Sequence, residues 1–248
     1  MTRAATLTGA IAADPAVRFT FTGTAVGNVS LTVGAPDVGA RAGLAAAVGV
    51  EPAALVFMQQ VHGHDVATVD IGDRGRGLDD HADGVAGVDA LVTRATDTAL
   101  VVLVADCVPV LLADPSRSVA AVHAGRGGVV RGVVPAALDA MAPDEPARVE
   151  ARIGPAISGC CYEVPADLVE QVAADHPVAR ATTTWGTPAL DLPAAVEAQL
   201  RARGVERIGR TGGCTRCTGA EWFSHRRDPG AGRQAGVVVR SAAGRRHA

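Results

Sequence analysis

Short, almost continuously apolar runs recur along the chain, each closed by turn-forming Gly, Asp, Asn or Pro. They predict strands at 26–33, 55–60, 65–69, 90–93, 99–104, 108–113 and 119–123, and again at 148–153, 205–208, 222–225 and 234–240. Apolar residues at consecutive rather than alternate positions are what a strand needs when both faces of its sheet are covered. Helical periodicity predicts helices at 38–48, 129–141, 165–174 and 193–203. Asp37 and Asp191 stand where their side chains can cap the first and last of these, and Pro193 suits a first helical turn. Long β stretches between few helices predict a mixed α/β fold without a regular βαβ repeat. No linker rich in Pro, Gly and Ser divides the 248 residues, so one domain, 1–248, is expected, large enough to bury a substantial core.

Composition narrows the function classes. The formal net charge is -3 with both signs interspersed, so no basic stripe awaits a nucleic-acid backbone. Aromatic residues make up 3% of the chain, too few for a platform on which bases stack. Even ALVVLVADCVPVLLAD is broken by Asp106, Cys107 and Pro109, well short of the roughly 20 apolar residues a membrane helix needs. The opening MTRAATLTGAIAADPAV is too short and too polar for a secretory signal. Five cysteines, an odd count with Cys160 and Cys161 adjacent, fit a reducing compartment better than a disulfide framework, so a cytoplasmic location is expected. All 23 basic residues are Arg, and Asn occurs only at Asn28, a coding bias rather than a functional signal.

The chemistry concentrates at strand ends. LVFMQQVHG delivers His62, ALVVLVADC delivers Cys107 and SVAAVHAG delivers His123, so three separate apolar runs each end in one soft-metal ligand. Two imidazoles and one thiolate suit zinc, with copper as second choice. Three protein ligands leave a coordination position for a reacting molecule, the arrangement of a catalytic rather than a structural site. After His123, the turn Gly125–Gly128 leads into a helix and can present backbone N–H groups to an anion such as phosphate. The loop GDRGRGLDDHADG (72–84) is expected to be solvated, with His81, and His64 nearby, outside the main ligand set. CTRC (214–217) has metal or redox spacing, but a zinc ribbon needs a second pair, which the adjacent Cys160 and Cys161 do not supply by spacing. A structural role is therefore expected there.

The ordered series QQVHG (59–63), VDALVT (88–93), VADCVPVLLAD (104–114), AAVHAG (120–125), IGPAISGCCYEV (153–164), GGCT (212–215), FSHRRD (223–228) and GRQAGVV (232–238) resembles the YfiH-like family. Its members were first labelled multicopper polyphenol oxidases or laccases and are now described as zinc-dependent purine nucleoside phosphorylases. The resemblance spans about 15–240, nearly the whole chain. It implies a single-domain mixed-sheet α/β sandwich of the type grouped with cysteine hydrolases, and a metal held by His62, Cys107 and His123. The activity implied is phosphorolysis of adenosine, inosine and S-methyl-5'-thioadenosine, with adenosine deamination as a second reaction. Cys107 and Asp106 are then the expected catalytic residues, Asp106 as a proton shuttle, and Gln59, Arg126, Arg226 and Arg227 the expected holders of substrate or phosphate.

Two departures bear on the phosphate. Members commonly read HAGWRG where this chain reads HAGRGG, which puts Arg126 at the usual Trp and Gly127 at the usual Arg, and His225 stands where Tyr is usual. Two other function classes use the same residues: a copper-dependent polyphenol oxidoreductase, and a metal-free cysteine hydrolase with Cys107 as nucleophile and His123 as base. The sequence leaves the oligomeric state open.

Overall fold

The computed structural model describes residues 6–10, 16–35, 37–115 and 117–242. In chain order its strands and helices are β1 (Thr6–Ala10), β2 (Val17–Thr22), α1 (Ala40–Val48), β3 (Leu55–Phe57), β4 (Val66–Val69), β5 (Ala90–Thr93), β6 (Ala99–Val104), β7 (Val108–Asp114) and β8 (Ser118–Ala124). There follow α2 (Arg126–Arg131), α3 (Val133–Met141), β9 (Glu150–Ile153), α4 (Ala166–Asp175), β10 (Arg180–Thr182), β11 (Pro188–Leu190), α5 (Leu192–Ala202), β12 (Arg207–Arg210) and β13 (Gln234–Arg240). One sheet has the order β1-β2-β13-β6-β3, a second β12-β9-β7-β8-β5-β4, and β10 with β11 forms a small hairpin. Both large sheets are mixed, since β3 runs parallel to β6, β4 to β5 and β12 to β9, while the other pairs are antiparallel.

The unbroken apolar runs are explained by burial on both faces. Leu100, Val102 and Val104 of β6 meet Leu111 and Ala113 of β7 and Val119 and Ala121 of β8 in a core between the sheets. The alternate residues Ala99 and Val101 of β6 pack outward under Leu44, Ala45 and Val48 of α1. On the far side, Val110, Leu112, Ala120 and Val122 lie under α3, α4 and α5. The result is a helix/sheet/sheet/helix sandwich, as the mixed α/β expectation requires. Leu91, Leu100 and Leu111 are each fully buried between the sheets, and each contributes about 1.5–3 kcal/mol by leaving water.

Several expected elements differ, each for a local reason. The 26–33 run is no strand, because side chains take over its backbone. Asn28 donates to the carbonyls of Val33 and Ala35 and accepts from the N–H of Ser30 and Arg233, while the Ser30 hydroxyl accepts from Thr32 and Val33. The 129–141 helix begins earlier, at Arg126, and breaks at Gly132, whose φ of 82 favours a residue without Cβ. The 222–225 segment is not a strand either: the Gln234 amide both accepts from the Phe223 N–H and donates to its carbonyl, satisfying that residue without a ladder. β2 was hidden from the periodicity by Thr20 and Thr22, both fully buried. No helix among the described residues is long and apolar enough to cross a membrane.

Candidate metal centre and cleft

β6 and β7 are joined by a tight turn that carries Asp106 and Cys107, and His123 sits one residue from the end of β8. His62 arrives from the loop after β3. The Gln60 amide steers that loop, accepting from the Leu103 N–H at 2.8 Å and donating to its carbonyl at 2.7 Å, so it pairs with β6 as a strand residue would. The three expected ligands therefore converge, with all three donor atoms within 4.8 Å of one another. Cys107 Sγ lies 3.9 Å from His62 Nε2, and the two imidazoles stand edge to face with centroids 4.7 Å apart. Gly125 makes room for them. A Cβ there would come within 2.9 Å of His62 Cδ2 and 3.3 Å of Cys107 Sγ, so any side chain would intrude among the donors.

The residue that organises this group was not singled out from the sequence. Asp89, fully buried just before β5, accepts from His123 Nδ1 at 2.6 Å. Its two oxygens also accept from the backbone N–H groups of Val61, His62 and Gly63 at 3.2, 3.0 and 2.5 Å. One carboxylate thus fixes the His123 ring, leaving Nε2 for the site, and pins the loop that presents His62. A carboxylate behind a ligating imidazole is the usual way a metal centre sets ring orientation. His62 itself has φ 58 and Asp106 φ 88, two of the four positive-φ residues other than Gly among those described. The Asp89 hydrogen bonds hold the strained backbone at His62. The one signal for Asp89 in the sequence was an acidic residue heading the apolar run VDALVT.

The electrostatics favour a positive charge between the donors. Burial works against the Cys107 thiolate, but His123 and His62 outweigh it and bring the thiol down to about 6. Burial likewise disfavours a charged His123, but Cys107 and Asp89 raise its pKa to about 9. Asp89 is held below the ordinary carboxylate range, chiefly by His123 against the cost of burial. Two imidazoles and a thiolate backed by a carboxylate form a soft, anionic donor set of the kind zinc or copper takes.

The remaining expected site residues are spread over different tasks. The Gln59 amide donates to the carbonyls of His81, Ala82 and Gly84, so it holds the 81–84 turn. Both oxygens of Asp106 are engaged, one by the Thr215 hydroxyl at 2.5 Å and one by the Arg226 N–H at 2.6 Å. Arg227 donates to the carbonyls of Thr215, Arg216 and Trp222 and closes the turn before β13. Arg226 reaches the Glu163 carbonyl and lies 5.0 Å from the Tyr162 ring centroid. Burial raises the Tyr162 hydroxyl and the charge of Cys107 adds to it, while Arg126 and Arg226 act the other way. The 125–128 turn belongs to the first turn of α2: Gly127 packs on the His62 carbonyl and Gly128 on that of Gly63.

His62, Cys107 and His123 lie in a cleft of about 420 Å³, within the size range of small-molecule sites. Leu31, Val33 and Phe57 give it an apolar wall, and His81, His225 and Arg233 add polar groups. Arg233 was missed from the sequence. Burial pulls its pKa down, against the opposing effect of Cys107 and Asp106.

Residues 23–241 match the family model described as multi-copper polyphenol oxidoreductase laccase, and the chain resembles the solved YfiH structure from Bacillus licheniformis with a TM-score of 0.82 at 29% identity, over 90% of this chain and 92% of that one. The chain belongs to this YfiH-like family. A relative from Streptomyces coelicolor, a purine nucleoside phosphorylase, is 54% identical over 199 residues, covering 78% of each chain. The crystal structure of YlmD from Geobacillus stearothermophilus matches with a TM-score of 0.84 at 32% identity, over 94% of each chain. A more distant relative from an unknown prokaryotic organism, an adenosine deaminase, is 36% identical over 197 residues, 76% of this chain and 75% of that one. Two expectations from sequence, the family and the mixed α/β sandwich, are thus borne out.

Proposed function

We propose that this chain is a zinc-dependent purine nucleoside phosphorylase acting on adenosine, inosine and S-methyl-5'-thioadenosine, with adenosine deamination as a second reaction. The observation that carries the proposal is the convergence of His62, Cys107 and His123 in the lining of the cleft, in a chain 54% identical to a purine nucleoside phosphorylase. These three residues would hold the ion, which when bound supplies a Lewis acid with an open position toward the substrate.

The chain's own residues serve the rest. Asp89 keeps the His123 proton on Nδ1 and the donors in register. In phosphorolysis a phosphate oxygen bonds C1' as the bond from C1' to the purine nitrogen breaks, so negative charge must be held beside a positive sugar centre. Arg233, which lines the cleft, and Arg126 and Arg226, which lie beside Tyr162, are the cations that would hold that phosphate. Arg126 then compensates for Gly127, which cannot replace the family's usual Arg. Leu31, Val33 and Phe57 offer the purine an apolar wall. Asp106, with both oxygens committed, supports the reaction by positioning Thr215 and Arg226 rather than by moving a proton.

Phosphorolysis is preferred to phenol oxidation because coupled copper ions need several sets of imidazoles. Among the described residues only one group of possible ligands contains histidine, and it contains two. Product analysis with inosine, adenosine and methylthioadenosine decides the matter. Base release is expected to require phosphate and to yield one sugar 1-phosphate per base. Base release without phosphate, or dioxygen uptake with phenols in its place, contradicts the proposal.

A further inference from the structure

The chain has five cysteines, and four of them lie together away from Cys107. Cys160 and Cys161 follow β9, Cys214 and Cys217 follow β12, and all four sulfurs are within 4.8 Å of one another. From sequence the two pairs looked unrelated, because adjacent cysteines lack the spacing of a zinc ribbon. The fold joins them through the parallel β9–β12 pair and an isolated bridge between Ala156 and Cys214 that extends it.

We propose that Cys160, Cys161, Cys214 and Cys217 bind a second, structural metal ion as a closed tetrathiolate site, with zinc as the fitting ion. Four sulfurs at about 2.3 Å from zinc stand about 3.8 Å apart at the corners of a tetrahedron. Here Cys160 and Cys161 are separated by 3.6 Å and Cys160 and Cys217 by 3.8 Å. All are free thiols, and none of these contacts is a disulfide. The backbone N–H groups of Ser158, Arg216 and Cys217 point at the Cys214 sulfur. A neutral apolar core would not assemble such donors around a sulfur.

The site has a mechanical consequence. Thr215 lies between two of the ligands, and its hydroxyl holds Asp106 beside Cys107. Its carbonyl accepts from Arg227, and the Ile157 N–H donates to the Asp106 carbonyl. An ion bridging the 160–161 and 214–217 segments therefore locks the wall behind the catalytic cleft. Four thiolates leave no open position, so the ion takes no part in chemistry.

Metal analysis and thiol mapping test this in the wild-type protein and two variants. Wild-type protein purified without chelator is expected to carry two zinc per chain, and Cys107→Ala to keep one. Adding Cys214→Ser and Cys217→Ser to Cys107→Ala is expected to remove the remaining ion. Cobalt replacing zinc in Cys107→Ala should show the intense sulfur-to-metal charge-transfer bands of a tetrathiolate. Should the triple variant fail to fold, alkylation of native wild type still decides: Cys160, Cys161, Cys214 and Cys217 should be protected until a chelator is added. A metal-free Cys107→Ala, immediate alkylation of all four thiols, or a disulfide-linked peptide joining Cys160 to Cys217 would overturn the proposal. Loss of phosphorolysis with the tetrathiolate intact would instead count only against the function proposed above.

Discussion

Cys107→Ala is expected to lose the ion held with His62 and His123 and to lower kcat/KM for inosine phosphorolysis by about 1000-fold, with circular dichroism unchanged. The magnitude follows from removing the several kcal/mol of charge stabilisation a Lewis acid supplies, about 4 kcal/mol at one decade per 1.36 kcal/mol. The fold survives because Cys107 lies in the β6–β7 turn and only packs against the core between the sheets, which Leu100, Leu111 and their neighbours fill. Steady-state kinetics with metal analysis on the same preparation checks it. A variant that turns over at the wild-type rate without metal excludes the three-residue centre as the catalytic site.

Asp89→Asn is expected to be the most damaging change that touches no candidate ligand atom. Four donors converge on its two oxygens: the N–H groups of Val61, His62 and Gly63 and the Nδ1–H of His123. Asparagine offers one oxygen and turns an NH₂ toward the rest. Leaving a buried donor unpaired costs about 1–3 kcal/mol, and losing the carboxylate behind a ligating imidazole costs about 10–100-fold in metal affinity. Chelator competition and thermal denaturation measure the two losses. Equal metal affinity in the variant would mean that Asp89 supports only the loop.

The core of the sandwich was legible because burial on both faces leaves a plain mark, and β5, β6, β7, β8 and β13 stand within a residue of their expected bounds. What escaped was backbone satisfied by side chains. Asn28 dissolves an apolar run into a loop, Gln60 and Gln234 imitate strand partners, and no periodicity carries that information. His62, Cys107 and His123 were legible because each ends an apolar run. Asp89 acts through residues distant in the chain and was marked locally only by its place at the head of VDALVT, and Arg233 reaches the cleft only through the fold. Asp106 and Gln59 show the converse: both sit beside a candidate ligand motif, yet their polar atoms face structural partners. The four-cysteine group depends on β9 and β12 lying side by side, a pairing between strands separated by α4 and α5.

Anomalous scattering from crystals of the wild-type protein, recorded above and below the zinc absorption edge, bears most directly on the centre. A zinc-specific peak is expected about 2.0–2.1 Å from the Nε2 atoms of His62 and His123 and about 2.3 Å from Cys107 Sγ. A peak that persists below the zinc edge, or Cys107 Sγ beyond bonding distance of any metal shared with the two imidazoles, would contradict it.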